Sequence, residues 1–169
     1  MLITRWTWFL VAVVLSGCAG QLSQPAGGVS SVSTVVLHRP LQIETGWARA
    51  FVQYGEPVKF SDRDRFGPIC SFEVREVARP GMRIGIEPDT FAITRIQHKH
   101  ITGGIFAGAL DIDEDVGPVE PEVDVYLASD RQPSVIRLRC VKWEADAIHA
   151  RPVGLADIRI ALGRLADLR

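Results

Sequence analysis

The sequence predicts a mainly β domain of the α+β class, an antiparallel sandwich or barrel-like sheet with an amphipathic helix near its C-terminus. Two segments alternate apolar and polar residues with period two, as expected for strands with one buried face. Proline and glycine separate the short segments at turn-like positions such as Pro80-Gly81. Near the end of the chain, the spacing of apolar residues changes to that of a helix.

The clearest predicted strand is 69–77, in which Cys70, Phe72 and Val74 share one face. Segment 134–143 has the same alternation, with Cys140 on its apolar side. Apolar or alternating runs predict further strands at 34–38, 41–43, 47–54, 82–86, 91–98 and 122–128. In the last segment, leucine and isoleucine recur every three or four residues, which predicts a helix over 155–168.

The first 17 residues are organised like a secretory signal peptide. Arg5 supplies a positive charge, an apolar run follows it, and small residues precede Cys18. The apolar run is far shorter than the roughly 20 residues that a membrane-spanning helix needs. The alternatives are an ordinary secretory signal with a chance cysteine and an uncleaved anchor.

The four residues Leu15-Ser16-Gly17-Cys18 resemble the lipobox of bacterial lipoproteins. The resemblance implies cleavage between Gly17 and Cys18 and a diacylglycerol on the Cys18 thiol, with palmitate among the expected acyl chains. More than one chain on the same cysteine gives durable membrane anchoring. Ala19 stands where Gram-negative lipoproteins retained in the inner membrane carry Asp, so the resemblance favours the outer membrane.

Residues 18–33 are predicted to form the lipidated cysteine and a flexible tether, because glycine, serine and other small residues dominate there. A tether of this length has a root-mean-square reach of roughly 20 Å. The remaining residues, 34–169, suit one β-rich domain. The order of lipobox, tether, β-rich domain and terminal helix is similar to that of small uncharacterised Gram-negative lipoproteins.

The charge balance argues against nucleic acid as a partner, because such binding requires a basic face. The whole chain has a formal charge of −1. Removal of residues 1–17, which contain one arginine and no acidic residue, makes the charge −2. The lipid on Cys18, rather than surface charge, is therefore the expected membrane contact.

If Cys18 carries lipid, Cys70 and Cys140 remain as an even pair in an exported protein. The compartment outside the bacterial cytosol is oxidising, so we expect a Cys70–Cys140 disulfide. Both cysteines fall on apolar strand faces, and the bridge joins either two packed sheets or two neighbouring strands. The alternative is two buried free thiols.

Two groups of residues are candidate metal ligands, but the sequence predicts neither a metal nor a cofactor. Asp111, Asp113, Asp115 and Glu122 have the spacing of calcium ligands, yet Val116 occupies the position that needs glycine for the sharp turn. This pattern favours a solvated acidic loop. His98 and His100 share a strand face, but Lys99 between them repels a cation. A third ligand would have to come from His38, His149 or an acid.

No catalytic motif is present in the sequence: it lacks the nucleophile elbow, the zinc-protease helix and the phosphate loop. The sequence therefore predicts no catalytic residue. A set of aromatic and basic residues matches the composition of protein interfaces: Trp47, Arg49, Phe51, Arg137, Arg139 and Trp143. The alternative is a strand face kept soluble by arginine.

We expect a non-enzymatic lipoprotein, anchored in the outer membrane through Cys18, that binds an envelope protein or assists assembly in the periplasm. The alternative is a lipid-anchored hydrolase acting on an envelope polymer. Such an enzyme would use carboxylates such as Glu73, Asp111 or Asp113 as proton donors or acceptors.

Overall fold

The computed structural model describes residues 32–102, 119–145 and 150–169. The proposed cleavage and lipidation positions Gly17 and Cys18 and nearly all of the tether lie outside these ranges. So do the candidate ligands Asp111, Asp113, Asp115 and His149. Predictions about these residues stay predictions.

Ten strands and one α-helix occur in the described residues. They are β1 (Thr34–Leu37), β2 (Leu41–Ile43), β3 (Arg49–Gln53), β4 (Glu56–Val58), β5 (Ile69–Val74), β6 (Ile84–Ile86), β7 (Asp89–Thr102), β8 (Val119–Ala128), β9 (Val135–Val141), α1 (Leu155–Leu162) and β10 (Ala166–Leu168). A short 3-10 helix, Phe60–Asp62, lies between β4 and β5. Within these ranges, no helix is long and apolar enough to cross a bilayer.

Eight of these strands form one antiparallel sheet, curled like half a barrel, in the order β10-β1-β7-β8-β9-β5-β3-β4. Strands β2 and β6 pair separately. The prediction of a mainly β domain with an antiparallel sheet and a helix near the C-terminus is confirmed. The alternation in the sequence explains the sheet, because each central strand presents one apolar and one polar face.

The apolar face of the large sheet forms the core. Helix α1 packs against β3 and β5, and its buried side chains join those of the strands. The side chains of Val52, Phe72 and Leu138, from three neighbouring strands, are fully buried. Burial of apolar side chains is the main favourable term in folding, so this face supplies most of the stability.

The Cys70–Cys140 disulfide is present and joins neighbouring strands. Cys70 of β5 and Cys140 of β9 are direct partners in the antiparallel register, with their Cα atoms 4.0 Å apart. Both side chains are buried in the core. Of the two arrangements that the sequence left open, the structure has the bridge within one sheet.

The predicted helix over 155–168 is too long. Helix α1 ends at Leu162, and Ala166–Leu168 forms an edge strand paired with Val35–Leu37 of β1. The chain leaves the helix at Gly163, whose φ of +51° is unfavourable for residues with a Cβ atom. Apolar residues separated by three do not by themselves distinguish a continuing helix from a turn followed by a strand.

Candidate binding cleft

The opposite face of the large sheet carries charged side chains from five neighbouring strands. Antiparallel register places Arg49 of β3 opposite Glu73 of β5, and Glu73 opposite Arg137 of β9. One row away, Arg139 of β9 lies opposite Asp124 of β8. Residues two apart on a strand share a face, so these rows are neighbours. The ion-pair network, as we call it, consists of Arg49, Glu73, Lys99, Glu122, Asp124, Arg137 and Arg139.

Asp124 lies at the centre of the ion-pair network and is fully buried. Its carboxylate accepts hydrogen bonds from Lys99 Nζ, from Arg137 at 3.0 Å and from Arg139 Nε at 3.0 Å. Burial alone would raise the pKa of Asp124, but the hydrogen bonds from Lys99 and Arg139 hold it below the usual 3.8. Hydrogen bonds to Asp124 and Glu122 raise the pKa of Lys99 in turn.

Glu73 is the second buried carboxylate of the network, with 5% of its surface exposed. Arg137 donates to Glu73 Oε2, and Arg49 approaches Glu73 Oε1 to 3.3 Å. Arg139 Nε lies 3.6 Å from the same Oε1 atom. Glu73 Oε1 accepts no hydrogen bond among the described residues, so it is held by the charges of two arginines alone.

A loop between β4 and β5 lies against one end of this polar face. Gln53 of β3 is buried and fixes the loop, because its amide donates to the Asp64 carbonyl at 2.9 Å and accepts from the Asp64 backbone N–H at 2.8 Å. Asp64 also accepts a 2.6 Å hydrogen bond from the Tyr54 hydroxyl, which lowers the pKa of Asp64. The Gln53 side chain thus positions the loop that borders the cleft.

Aromatic side chains cluster beside the charged residues. Trp47, Phe51 and Phe60 lie with ring centroids 5.2 to 5.3 Å apart. The Arg63 guanidinium lies 3.6 Å above the Phe60 ring centre. On the other side of the cleft, Phe66 contacts Trp143 edge to face at 5.1 Å.

These elements enclose a cleft of about 210 Å³. Its floor includes Arg49, Phe51 and Arg139, and its walls are the loop from Phe60 to Gly67 and the end of β9 with Trp143. A second cavity of about 260 Å³ adjoins it, shares Arg49 and Phe51, and extends past Trp47 to Lys59. We call the two cavities together the groove; Phe51 lines both of them, whereas Phe60 lines only the first and Trp47 only the second.

The structure brings together the aromatic and basic residues that the sequence singled out. Trp47, Arg49, Phe51, Arg139 and Trp143 line the two cavities. The sixth, Arg137, lies beneath them in the ion-pair network.

The other candidate ligands are placed differently. Glu122, a calcium ligand according to the spacing in the sequence, is buried and forms ion pairs with Lys99 and Arg139. His98 is exposed, whereas Lys99 turns to the network. His38 pairs with Asp167 at 2.9 Å on the far edge of the sheet. Within the described ranges, no three His, Cys, Asp or Glu residues are grouped as metal ligands.

Sequence reasoning did not single out several residues that build the cleft. These are Gln53, Phe60, Arg63, Arg65 and Asp124. The arginines of the charged loop 61–67 are compatible with a binding surface, but only the fold shows that this loop borders the aromatic cluster. No protein-family model, no curated protein and no solved structure matches this chain.

Proposed function

We propose that the chain is a lipoprotein anchored in the outer membrane through Cys18, and that its domain in the periplasm acts as a non-enzymatic binding or envelope-assembly module. The signal-like segment and Leu15-Ser16-Gly17-Cys18 support the anchor. The main support for the binding role is the cleft. Arginine and tryptophan are the residue types that dominate the energetics of protein interfaces, and here they converge on one groove.

The scaffold beneath the groove is suited to binding. The ion-pair network joins five strands, and the disulfide links β5 to β9 on the opposite face of the sheet. A rigid support reduces the conformational entropy that the binding residues lose when a partner docks. The tether predicted for residues 18–33 would let the domain reach a partner within the periplasm.

The hydrolase alternative receives little support from Glu73. Its carboxylate is buried under three arginines, so an envelope polymer has no direct access to it. Asp124 is equally buried, and its lowered pKa is the opposite of what a general acid at neutral pH requires. The other two candidate carboxylates, Asp111 and Asp113, lie outside the described residues.

Metabolic labelling with an alkyne-bearing palmitate analogue tests the anchor. We expect label on the wild-type chain and none on Cys18→Ser, with Ser23→Ala as a control that keeps both lipobox and label. Label on Cys18→Ser would contradict lipidation at Cys18. Fractionation of the labelled cells then tests the outer-membrane assignment.

Chemical crosslinking in intact envelopes, followed by mass spectrometry, tests the binding role. We expect the wild-type chain to be recovered with a recurring partner protein. Recovery of the chain alone under several crosslinkers would contradict a binding or assembly role. Turnover of envelope polymers by the purified chain would instead favour the hydrolase.

A further inference from the structure

Cationic side chains outnumber acidic ones in the lining of the cleft, although the formal charge of the chain is negative. The cleft is lined by five cationic and three acidic side chains, namely Arg49, Arg63, Arg65, Arg139, Lys142, Asp64, Glu120 and Glu122. The formal charge of the whole chain is −1. A local excess of one sign attracts a ligand of the opposite sign and speeds its association. Several of these cations already pair with carboxylates of the protein, namely Arg49 with Glu73, Arg139 with Asp124 and Lys142 with Glu144. The attraction for an anionic ligand therefore depends on the cations that lack such a pair.

Two of these cations have no carboxylate partner among the described residues. Within the described ranges, Arg63 and Arg65 form no ion pair with a carboxylate, and Arg63 donates only to the Phe60 carbonyl at 3.0 Å. Among the described residues, Arg49 pairs only with Glu73, and a third of its side chain is exposed. Guanidinium groups of this kind bind carboxylates through paired hydrogen bonds.

The size and division of the groove favour an extended chain over a compact small molecule. Its two cavities measure about 210 and 260 Å³, and Phe51 lines both of them. Small-molecule sites usually enclose about 300–1,000 Å³. Each cavity by itself is smaller than such a site, whereas residues of an extended peptide would enter both in turn.

The aromatic cluster favours a peptide over a glycan. The Trp47 and Phe51 rings meet at 83°, and Phe60 is tilted by about 40° to both. A sugar ring stacks on an open aromatic face, but the Arg63 guanidinium already covers one face of Phe60. Tilted rings instead form an apolar notch beside the arginines, which suits an aliphatic or aromatic side chain next to a carboxylate.

We infer that the groove binds an acidic segment of a protein partner, with its carboxylates on Arg49, Arg63 and Arg65 and an apolar side chain against Phe51 and Phe60. This inference rests on the proposed binding function and names the chemistry of the partner. It predicts that affinity falls as salt screens the charges, because the contacts lie at the surface.

The test is selection of a phage-displayed library of random short peptides on the mature chain in detergent. We expect the selected peptides to be enriched in Asp and Glu relative to the unselected library. Tryptophan fluorescence measures their affinity, since two of the four tryptophans precede Cys18 and the other two, Trp47 and Trp143, line the groove. Affinity should fall about tenfold in the double variant Arg63→Glu, Arg65→Glu.

The matched control is the double variant Arg79→Glu, Arg83→Glu, which makes the same charge change at exposed positions outside both cavities. It should bind the selected peptides as the wild type does. Selection of neutral or basic peptides, selection of none, or equal binding by the Arg63/Arg65 variant would overturn the inference. Binding of chondroitin sulfate without any selected peptide would instead indicate an anionic glycan as the ligand.

Crosslinking in envelopes separates failure of this inference from failure of the proposed function. If the same partner crosslinks to the wild type and to the Arg63/Arg65 variant, the chain is a binding module that uses another surface. If no partner crosslinks to either, the binding function itself is wrong. Loss of the crosslink only in the cleft variant supports both.

Discussion

Both faces of the large sheet contain buried side chains, but different interactions bury them. On one face, Phe72 and Leu138 are excluded from water by helix α1 and by neighbouring apolar side chains. On the other face, Asp124 and Glu73 are covered by the arginine and lysine side chains that pair with them. The first face stabilises the fold through the apolar surface that it buries, which does not depend on the direction of each contact. The second face depends on the geometry of each ion pair and hydrogen bond. We expect substitutions to affect the two faces differently.

The largest effect is expected from truncation on the apolar face. Phe72→Ala removes a fully buried ring from the centre of the core and should lower the free energy of unfolding by about 4 kcal/mol. The matched variant Phe51→Ala, on the polar face of the adjacent strand, should lower it by only about 1–2 kcal/mol, because Phe51 is half-buried. Urea denaturation of both variants measures the difference. Equal losses would contradict the assignment of the core to one face.

The disulfide lies on the same face and should contribute about 4 kcal/mol, since it closes a loop of 70 residues. The double variant Cys70→Ala, Cys140→Ala should therefore unfold at a much lower urea concentration. The wild type under reductant is the control, and it should behave like the double variant. Unchanged stability in both would show that the bridge does not constrain the unfolded chain.

Removal of a charge from the ion-pair network should cost slightly less. Asp124→Asn leaves Lys99, Arg137 and Arg139 without their shared carboxylate and should lower the free energy of unfolding by about 3 kcal/mol. The exposed Asp130→Asn is the control and should change it by less than about 0.5 kcal/mol. Urea denaturation at neutral pH measures both variants. Equal stability of the two would show that the ion-pair network does not stabilise the fold.

The same carboxylate makes stability depend on pH. The pKa of Asp124 is lower in the folded chain than its usual 3.8, so the unfolded chain binds its proton first as the pH falls. The contribution of Asp124 is therefore fully present above the unfolded value and is lost as the pH falls through the folded one. Asp124→Asn should lack this part of the acid destabilisation. Urea midpoints between neutral pH and about pH 3 check this, and identical pH profiles would contradict it.

The end of α1 lies close to the turn between β3 and β4, where Gly163 and Gly55 are in backbone contact. A Cβ at Gly163 would lie 2.6 Å from Gly55 Cα, and Gly163 also has a positive φ. Gly163→Ala should thus cost about 2–3 kcal/mol through strain and overpacking. Gly81 has a φ of +82° but nothing within 4 Å, so Gly81→Ala should cost only about 1 kcal/mol. Thermal unfolding of the pair separates crowding from backbone strain.

The sequence predicted the central strands well because their alternation is local. Cys70, Phe72 and Val74 identify the buried face of β5 without knowledge of its neighbours. It missed β4, where Pro57 argues against a strand, and β10, whose residues continue the helical spacing. Both are short edge strands: β4 forms a tight hairpin with β3, whereas β10 depends on pairing with β1 at the other end of the domain.

The candidate site was predictable only in part, for a related reason. The composition of 47–51 and 137–143 indicated an interface, but the pairing of Glu73 with Arg137 requires the strand order, which spacing does not contain. The contribution of the loop arginines likewise depends on Gln53, whose side chain holds the loop beside β3. Long-range register, rather than local pattern, brings these residues together.

The smallest effect on stability is expected at the rim of the groove, by which we mean the loop 61–67. Comparison of a rim arginine with an arginine of the ion-pair network separates two parts of the polar face. Arg65 is exposed and outside the ion-pair network, so Arg65→Glu should change the free energy of unfolding by less than about 0.5 kcal/mol. Arg139→Gln should cost about 3 kcal/mol, because Arg139 contacts Glu73, Glu122 and Asp124. Urea denaturation compares the two arginines. If Arg65→Glu is as destabilising as Arg139→Gln, the rim supports the fold and its arginines are not free to serve a ligand. If only Arg139 matters, the buried charges hold the sheet together and the rim is left available for binding.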